Sequence, residues 1–185
     1  VPTPIGLPFA YFPSQQTKDS GFIIPNISDS NERGYSLQNG GYYIPLSEYF
    51  DLTVLADYYT NGSYGLNISS QYKKNYKYSG NFSVRYENLI SGERGLPGYG
   101  KSTVYNVRWS HSKDSKSSPN SSFSASVNFG SSDYFRQSVN QLNTANFLNN
   151  NLSSSISYSK SFPGSAGVRL SLTTSMSQNT QSKQV

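Results

Sequence analysis

The chain has 185 residues and a net charge of +5, with 34% hydrophobic, 15% aromatic and only 14% charged residues; so aromatic a composition excludes a disordered tail, and so few charges and helix formers argue against a soluble α/β enzyme. Its 16 tyrosines and 10 phenylalanines, set among Ser, Asn, Gly and Thr, favour strands. The absence of cysteine excludes a disulfide framework or cysteine-bound zinc in this stretch, the 15 basic residues are too scattered for a nucleic-acid stripe, and no apolar run is long enough for a transmembrane helix.

The chain does not begin with methionine or a signal peptide, and QNTQSKQV follows directly on a strand-like run, so the sequence reads as an excerpt of a longer protein. Residues 1–19 lead into the first of about nine expected strands, 21–28, which Pro25 interrupts. The second, 34–45, contains Gly40-Gly41 and closes on Pro45; proline cannot donate to a ladder and is confined to edges, strand starts or bulges. In the third, 50–59, Phe50, Leu52, Val54, Ala56 and Tyr58 alternate with Asp51, Thr53, Leu55, Asp57 and Tyr59. Strands 63–72 and 79–89 follow, the latter setting Phe82, Val84 and Tyr86 against Asn81, Ser83, Arg85 and Glu87. In 102–111, Tyr105, Val107 and Trp109 alternate with Asn106, Arg108 and Ser110; in 121–129, Phe123, Ala125, Val127 and Phe129 alternate with Ser and Asn. Strands 151–160 and 167–177 complete the series, with Val168, Leu170 and Leu172 opposite Arg169, Ser171 and Thr173. Period-two alternation with Asn-Gly, Ser-Gly and Pro-Gly turns between segments implies an all-β, antiparallel up-and-down meander.

Three local patterns invite sharper readings. Gly95-Leu-Pro-Gly-Tyr-Gly-Lys-Ser102 fits G-x-x-x-x-G-K-[ST], but that phosphate cradle needs a buried strand before it and a helix after it. Here an alternating strand precedes and Thr-Val-Tyr-Asn-Val-Arg-Trp follows, so an exposed loop tip is expected at 91–101. His111, the single histidine, has no nucleophile or carboxylate at a telling spacing, and no catalytic, cofactor-binding or metal site is expected. The six N-x-[ST] matches are expected by chance in a chain so rich in Asn and Ser, and several fall inside strands.

The polar faces decide the class. A soluble sandwich alternates too, but its water-facing side carries abundant Lys and Glu, whereas these faces carry mainly Ser, Asn, Thr and Gln. Strands of about ten residues with apolar bands, aromatic ends and a polar opposite face describe an outer-membrane barrel. Residues 20–185 are therefore expected to belong to such a barrel, with residues 1–19 leading into it. Lumen-facing polar residues are expected at Asp51, Asp57, Arg85, Glu87, Arg108 and Arg169, with Phe82, Val84, Trp109 and Phe129 facing lipid. Other classes consistent with alternation are a passive porin or TonB-dependent receptor barrel, and a soluble β-rich surface protein.

Leu7-Pro-Phe-Ala-Tyr-Phe-Pro13 followed by Ser20-Gly-Phe-Ile-Ile-Pro25 resembles the LPYFYFP…SGFLIP passage of the LptD family of lipopolysaccharide-assembly proteins. Tyr49-Phe-Asp-Leu-Thr53 resembles that family's NYDLT, and Phe129 to Arg136 resembles its SDxDYFR strand end. In one place the sequence departs: where the family's second strand has a proline before Tyr-Tyr-Trp, this chain has Gly40-Gly41-Tyr42-Tyr43, and Pro45 comes later. The resemblance implies that residues 1–19 are the end of a periplasmic domain with its linker and residues 20–185 the N-terminal part of a Gram-negative outer-membrane barrel, which passes lipopolysaccharide to the outer leaflet through a seam beside the first strand, with no bond made or broken. It also implies a lateral gate at Pro25, Gly40, Gly41 and Pro45, a plug lipoprotein like LptE, periplasmic lipopolysaccharide-bridge proteins and outer-membrane lipid as partners, and no nucleic acid.

Overall fold

The computed structural model of the protein describes residues 5–7, 10–12, 18–131, 133–138, 151–163 and 167–179. Two short strands, β1 (Ile5–Leu7) and β2 (Ala10–Phe12), pair with each other in a sheet of their own. All later strands form one antiparallel sheet: β3 (Gly21–Ile23), β4 (Asn26–Ser30), β5 (Gly34–Ser47), β6 (Phe50–Tyr59), β7 (Tyr64–Lys74), β8 (Tyr78–Ser91), β9 (Gly100–Lys113), β10 (Ser121–Gly130), β11 (Asn151–Ser161) and β12 (Arg169–Asn179). Each strand from β5 onward pairs with its sequence neighbours, while β3 and β4 share one side of β5. The meander expected from alternation is the fold. Strands of 10 to 14 residues from β5 on are long enough to cross a bilayer when tilted.

The register sorts the side chains. Leu52, Ser70, Phe82, Trp109 and Val127 form one cross-strand row, and Thr53, Ser69, Ser83, Arg108 and Asn128 form the adjacent row on the other face. The first face leaves Phe22, Leu66, Phe82, Tyr86, Tyr105, Phe129 and Leu172 exposed, whereas Asp57, Arg85, Glu87 and Asn106 on the second are buried. A soluble fold does the reverse. This inversion marks the sheet as part of a barrel that turns its apolar face to lipid.

The connections fall at two ends. At the end where β3 starts they are 48–49, 75–77, 114–120 and 162–168; at the opposite end they are 31–33, 60–63, 92–99 and 131–150. The two longest spans of chain between strands therefore share the far end. The strand ends differ from expectation by a few residues: the 92–99 loop is shorter than the expected 91–101 because β8 and β9 pair out to Ser91 and Gly100. The first strand is two strands, since the ladder lapses at Ile24 and Pro25. Two helical turns also occur, a 3-10 turn at Ser115–Ser117 and α1 (Tyr134–Gln137). Tyr134 inserts beside Leu89, Val104 and Leu152 in a small far-end core, and Ser102 Oγ bonds Gln137 Oε1.

Candidate functional site

The least continuous pairing lies where β3 and β4 meet β5. Ile23 pairs with Gly41 and Asn26 with Gln38, so the same register sets Pro25 opposite Asn39 across the lapse. Pro25 has no N–H to give, and a Cβ on Gly40 would come within 2.9 Å of the Pro25 ring. On its other side β5 bulges at the same place. Between Leu37↔Tyr58 and Gly40↔Ala56 it carries Gln38 and Asn39 against Asp57 alone, and Asn39 takes φ 57°. Asparagine tolerates that left-handed conformation better than most residues. Just beyond, the β5 and β6 backbones approach so closely that a Cβ on Gly41 would sit 1.9 Å from the Val54 carbonyl oxygen.

A buried charge network holds the bulge. The Asn39 N–H donates to Asp57 Oδ1 at 2.6 Å. Asp57 Oδ2 accepts from Arg85 Nη2 at 2.5 Å, and Arg85 Nε donates to Glu87 Oε1 at 2.7 Å. Arg85 stands on β8 and Asp57 on β6, so the guanidinium crosses β7, where Gly65 offers no side chain. A Cβ there would lie 3.2 Å from Asp57 Oδ2 and 3.4 Å from Glu87 Cγ. The side chains of Arg85, Asp57 and Glu87 are 10%, 4% and 2% exposed, so the charges are satisfied by one another rather than by bulk water. Tyr59 Oη and Glu87 Oε2, buried on the same face, have no hydrogen-bond partner among the described residues.

Of the expected gate residues, Pro25, Gly40 and Gly41 come together at this lapse. Pro45 does not: it pairs with Asp51 beside a second register shift, beyond the start of β3. Asp51, Asp57, Arg85, Glu87, Arg108 and Arg169 all stand on one face, but only Asp57, Arg85 and Glu87 form a cluster. Asp51 pairs with Lys18 at 3.5 Å near the opposite end. Sequence reasoning missed Asn39 and Gly65, whose parts depend on a bulge and on a side chain crossing from the next strand but one. An asparagine directly before Gly-Gly inside a strand was the available signal for the bulge.

His111 also has a structural place. Tyr72 Oη lies 2.9 Å from His111 Nδ1 and accepts from Trp109 Nε1 at 2.9 Å, with Phe123 and Tyr78 against the imidazole. The Tyr72 ring lies over Gly80, where a Cβ would fall 2.4 Å from it, so the missing side chain on β8 makes the seat. Among the described residues no group of three or more His, Cys, Asp or Glu could hold a metal ion.

A family profile described as "LptD protein" matches residues 1–185. A curated relative, the LPS-assembly protein LptD of Pseudomonas entomophila (strain L48), is 30% identical over 105 residues, covering 56% of this chain and 11% of the relative's length. The chain thus spans a small part of that relative. No solved structure matches.

Proposed function

The chain belongs to the LptD family, and from that membership we propose that it supplies the first strands of a Gram-negative outer-membrane barrel that delivers lipopolysaccharide to the outer leaflet through a lateral seam beside β3. Residues 1–19 approach from a periplasmic domain. The acyl chains leave through the seam into lipid while the sugars keep to the polar face, so the protein moves its substrate without catalysis. Bridge proteins hand over the glycolipid from the periplasm, and an LptE-like lipoprotein plugs the lumen.

One observation carries the reading: β3 and β4 break at Pro25 directly opposite the Asn39 bulge. The edge of the sheet is therefore short of ladder bonds on both sides of β5 at one level. Each bond not formed forgoes about 1 kcal/mol net, and more if a group is left unpaired in lipid. A first strand held so loosely to β5 moves aside at lower cost, and that movement opens the seam on its other edge.

The test is made in the full-length protein in cells. Replacing Pro25 with alanine restores a donor and is expected to slow lipopolysaccharide export while the barrel still assembles. Cysteine pairs joining β3 to the last strand of the barrel are expected to stop export under oxidising conditions and to release it on reduction. Normal export by the locked protein would overturn the lateral seam.

A further inference from the structure

We propose that the outer face of the sheet, at the end where β3 begins, carries a lysine belt that binds the headgroups of anionic phospholipids. The register builds it. Lys74 pairs with Tyr78, which pairs with Lys113; on the next hairpin Ser121 pairs with Lys160. These residues share the face of Phe82, Trp109 and Val127, so a cation recurs on every second strand, about 10 Å apart given the spacing of neighbouring strands.

The surroundings select the ligand. Lys74 Nζ lies 5.0 Å from the centre of the Tyr49 ring and Lys160 Nζ 4.9 Å from that of Phe162. Lys113 Nζ donates to Ser121 Oγ at 2.7 Å. That bond brings the Lys113 ammonium to Ser121, the residue paired with Lys160 across the β10–β11 ladder. No carboxylate lies within ion-pair distance of any of the three among the described residues. Like charges gathered without an anion repel, and an anion between them removes the cost. Toward the sheet centre the aromatic cluster of Tyr72, Trp109, His111 and Phe123 gives way to the aliphatic band. Lysines outside aromatics outside an apolar band reproduce the layering of headgroup, interface and hydrocarbon. The turns of the far end show no such excess: Glu32 and Glu93 accompany Arg33 and Arg94.

The ligand chemistry is a lipid phosphate diester. The inference rests on the proposed orientation for one point: the end where β3 begins faces the periplasm, so the phosphate belongs to a phospholipid of the inner leaflet and not to lipopolysaccharide. Its readout is lipid partitioning, so a failure of the export seam leaves the result standing.

The full-length protein, and its K74Q/K113Q/K160Q variant shown to be folded by heat-modifiable gel migration, are reconstituted in phosphatidylcholine vesicles. Spin-labelled phosphatidylglycerol, phosphatidylcholine or lipid A is added at trace level, and the motionally restricted fraction is measured. The wild type is expected to enrich phosphatidylglycerol over phosphatidylcholine by about two- to fivefold, less at high salt. The triple glutamine variant loses that enrichment and K74R/K113R/K160R keeps it. Equal partitioning in the wild type, or enrichment that survives the glutamine variant, overturns the belt. A preference for lipid A over phosphatidylglycerol overturns the assignment to the inner leaflet.

Discussion

Asp57 does two jobs with two oxygens: one holds the Asn39 amide of the bulge and the other holds Arg85. Removing the carboxylate leaves the half-buried Asn39 N–H without this acceptor and takes one of its two carboxylate partners from the buried Arg85 guanidinium. Asp57→Ala in the full-length protein is therefore expected to cost about 3–5 kcal/mol, the range for breaking a buried pair by deleting one partner. Asp57→Asn keeps an acceptor for Asn39 and should cost less. Equilibrium urea unfolding in detergent or lipid compares the two, and equal losses would show that the Asn39 bond contributes nothing. Gly65 belongs to the same arrangement. Gly65→Leu must displace the guanidinium or split β7 from its neighbours, while Gly65→Ala asks the carboxylate to shift by a few tenths of an ångström.

At the scale of the strand, β5 is where alternation and structure part company. Most of the meander was legible because period two survives in β6, β8, β9 and β10, where each apolar residue pairs across strands with a residue of the same face. In β5 the run Gln38-Asn39-Gly40-Gly41 carries no hydrophobic signal, so alternation does not locate the extra residue and only the asparagine before Gly-Gly hints at it. Pro45 looked equivalent to Pro25, yet it lies past the ladder of β3. The charge cluster was illegible for another reason: Asp57 and Arg85 are 28 positions apart, and only the register through β7 shows that they meet. Tyr134 was missed because a helix of four residues has no period to read. Two substitutions test this description. Gly41→Ala places a Cβ against the Val54 carbonyl oxygen and should prevent β5 and β6 from pairing, seen as loss of the heat-resistant folded band and rapid proteolysis. Lys101→Ala, next to the 92–99 loop, should leave folding and export unchanged and abolish no nucleotide binding. ATP binding lost in that variant would reinstate the phosphate-loop reading.

For the whole molecule, the two faces should meet different solvents. Cysteine at Val84 is expected to react with a lipid-soluble probe and cysteine at Ser83 with a small water-soluble maleimide that enters the lumen, because neighbouring residues point to opposite faces. Identical labelling of the two positions by both reagents would remove the barrel. The meander also has a consequence for how such a barrel is made. Nearly all its pairing joins sequence neighbours, and the β8–β9 hairpin alone aligns residues 78–91 with 100–113 without a break. Contacts this local form early, and each finished hairpin offers a template edge to the next strand. The chain can therefore zip up from its middle, and β3, three residues long with a proline two positions beyond its end, is the poorest template in the large sheet. In such an order of assembly the join at the edge of β3 is the last to close, and the weakness of that edge becomes a kinetic property: it sets how long the barrel stays open after the rest of the sheet has formed.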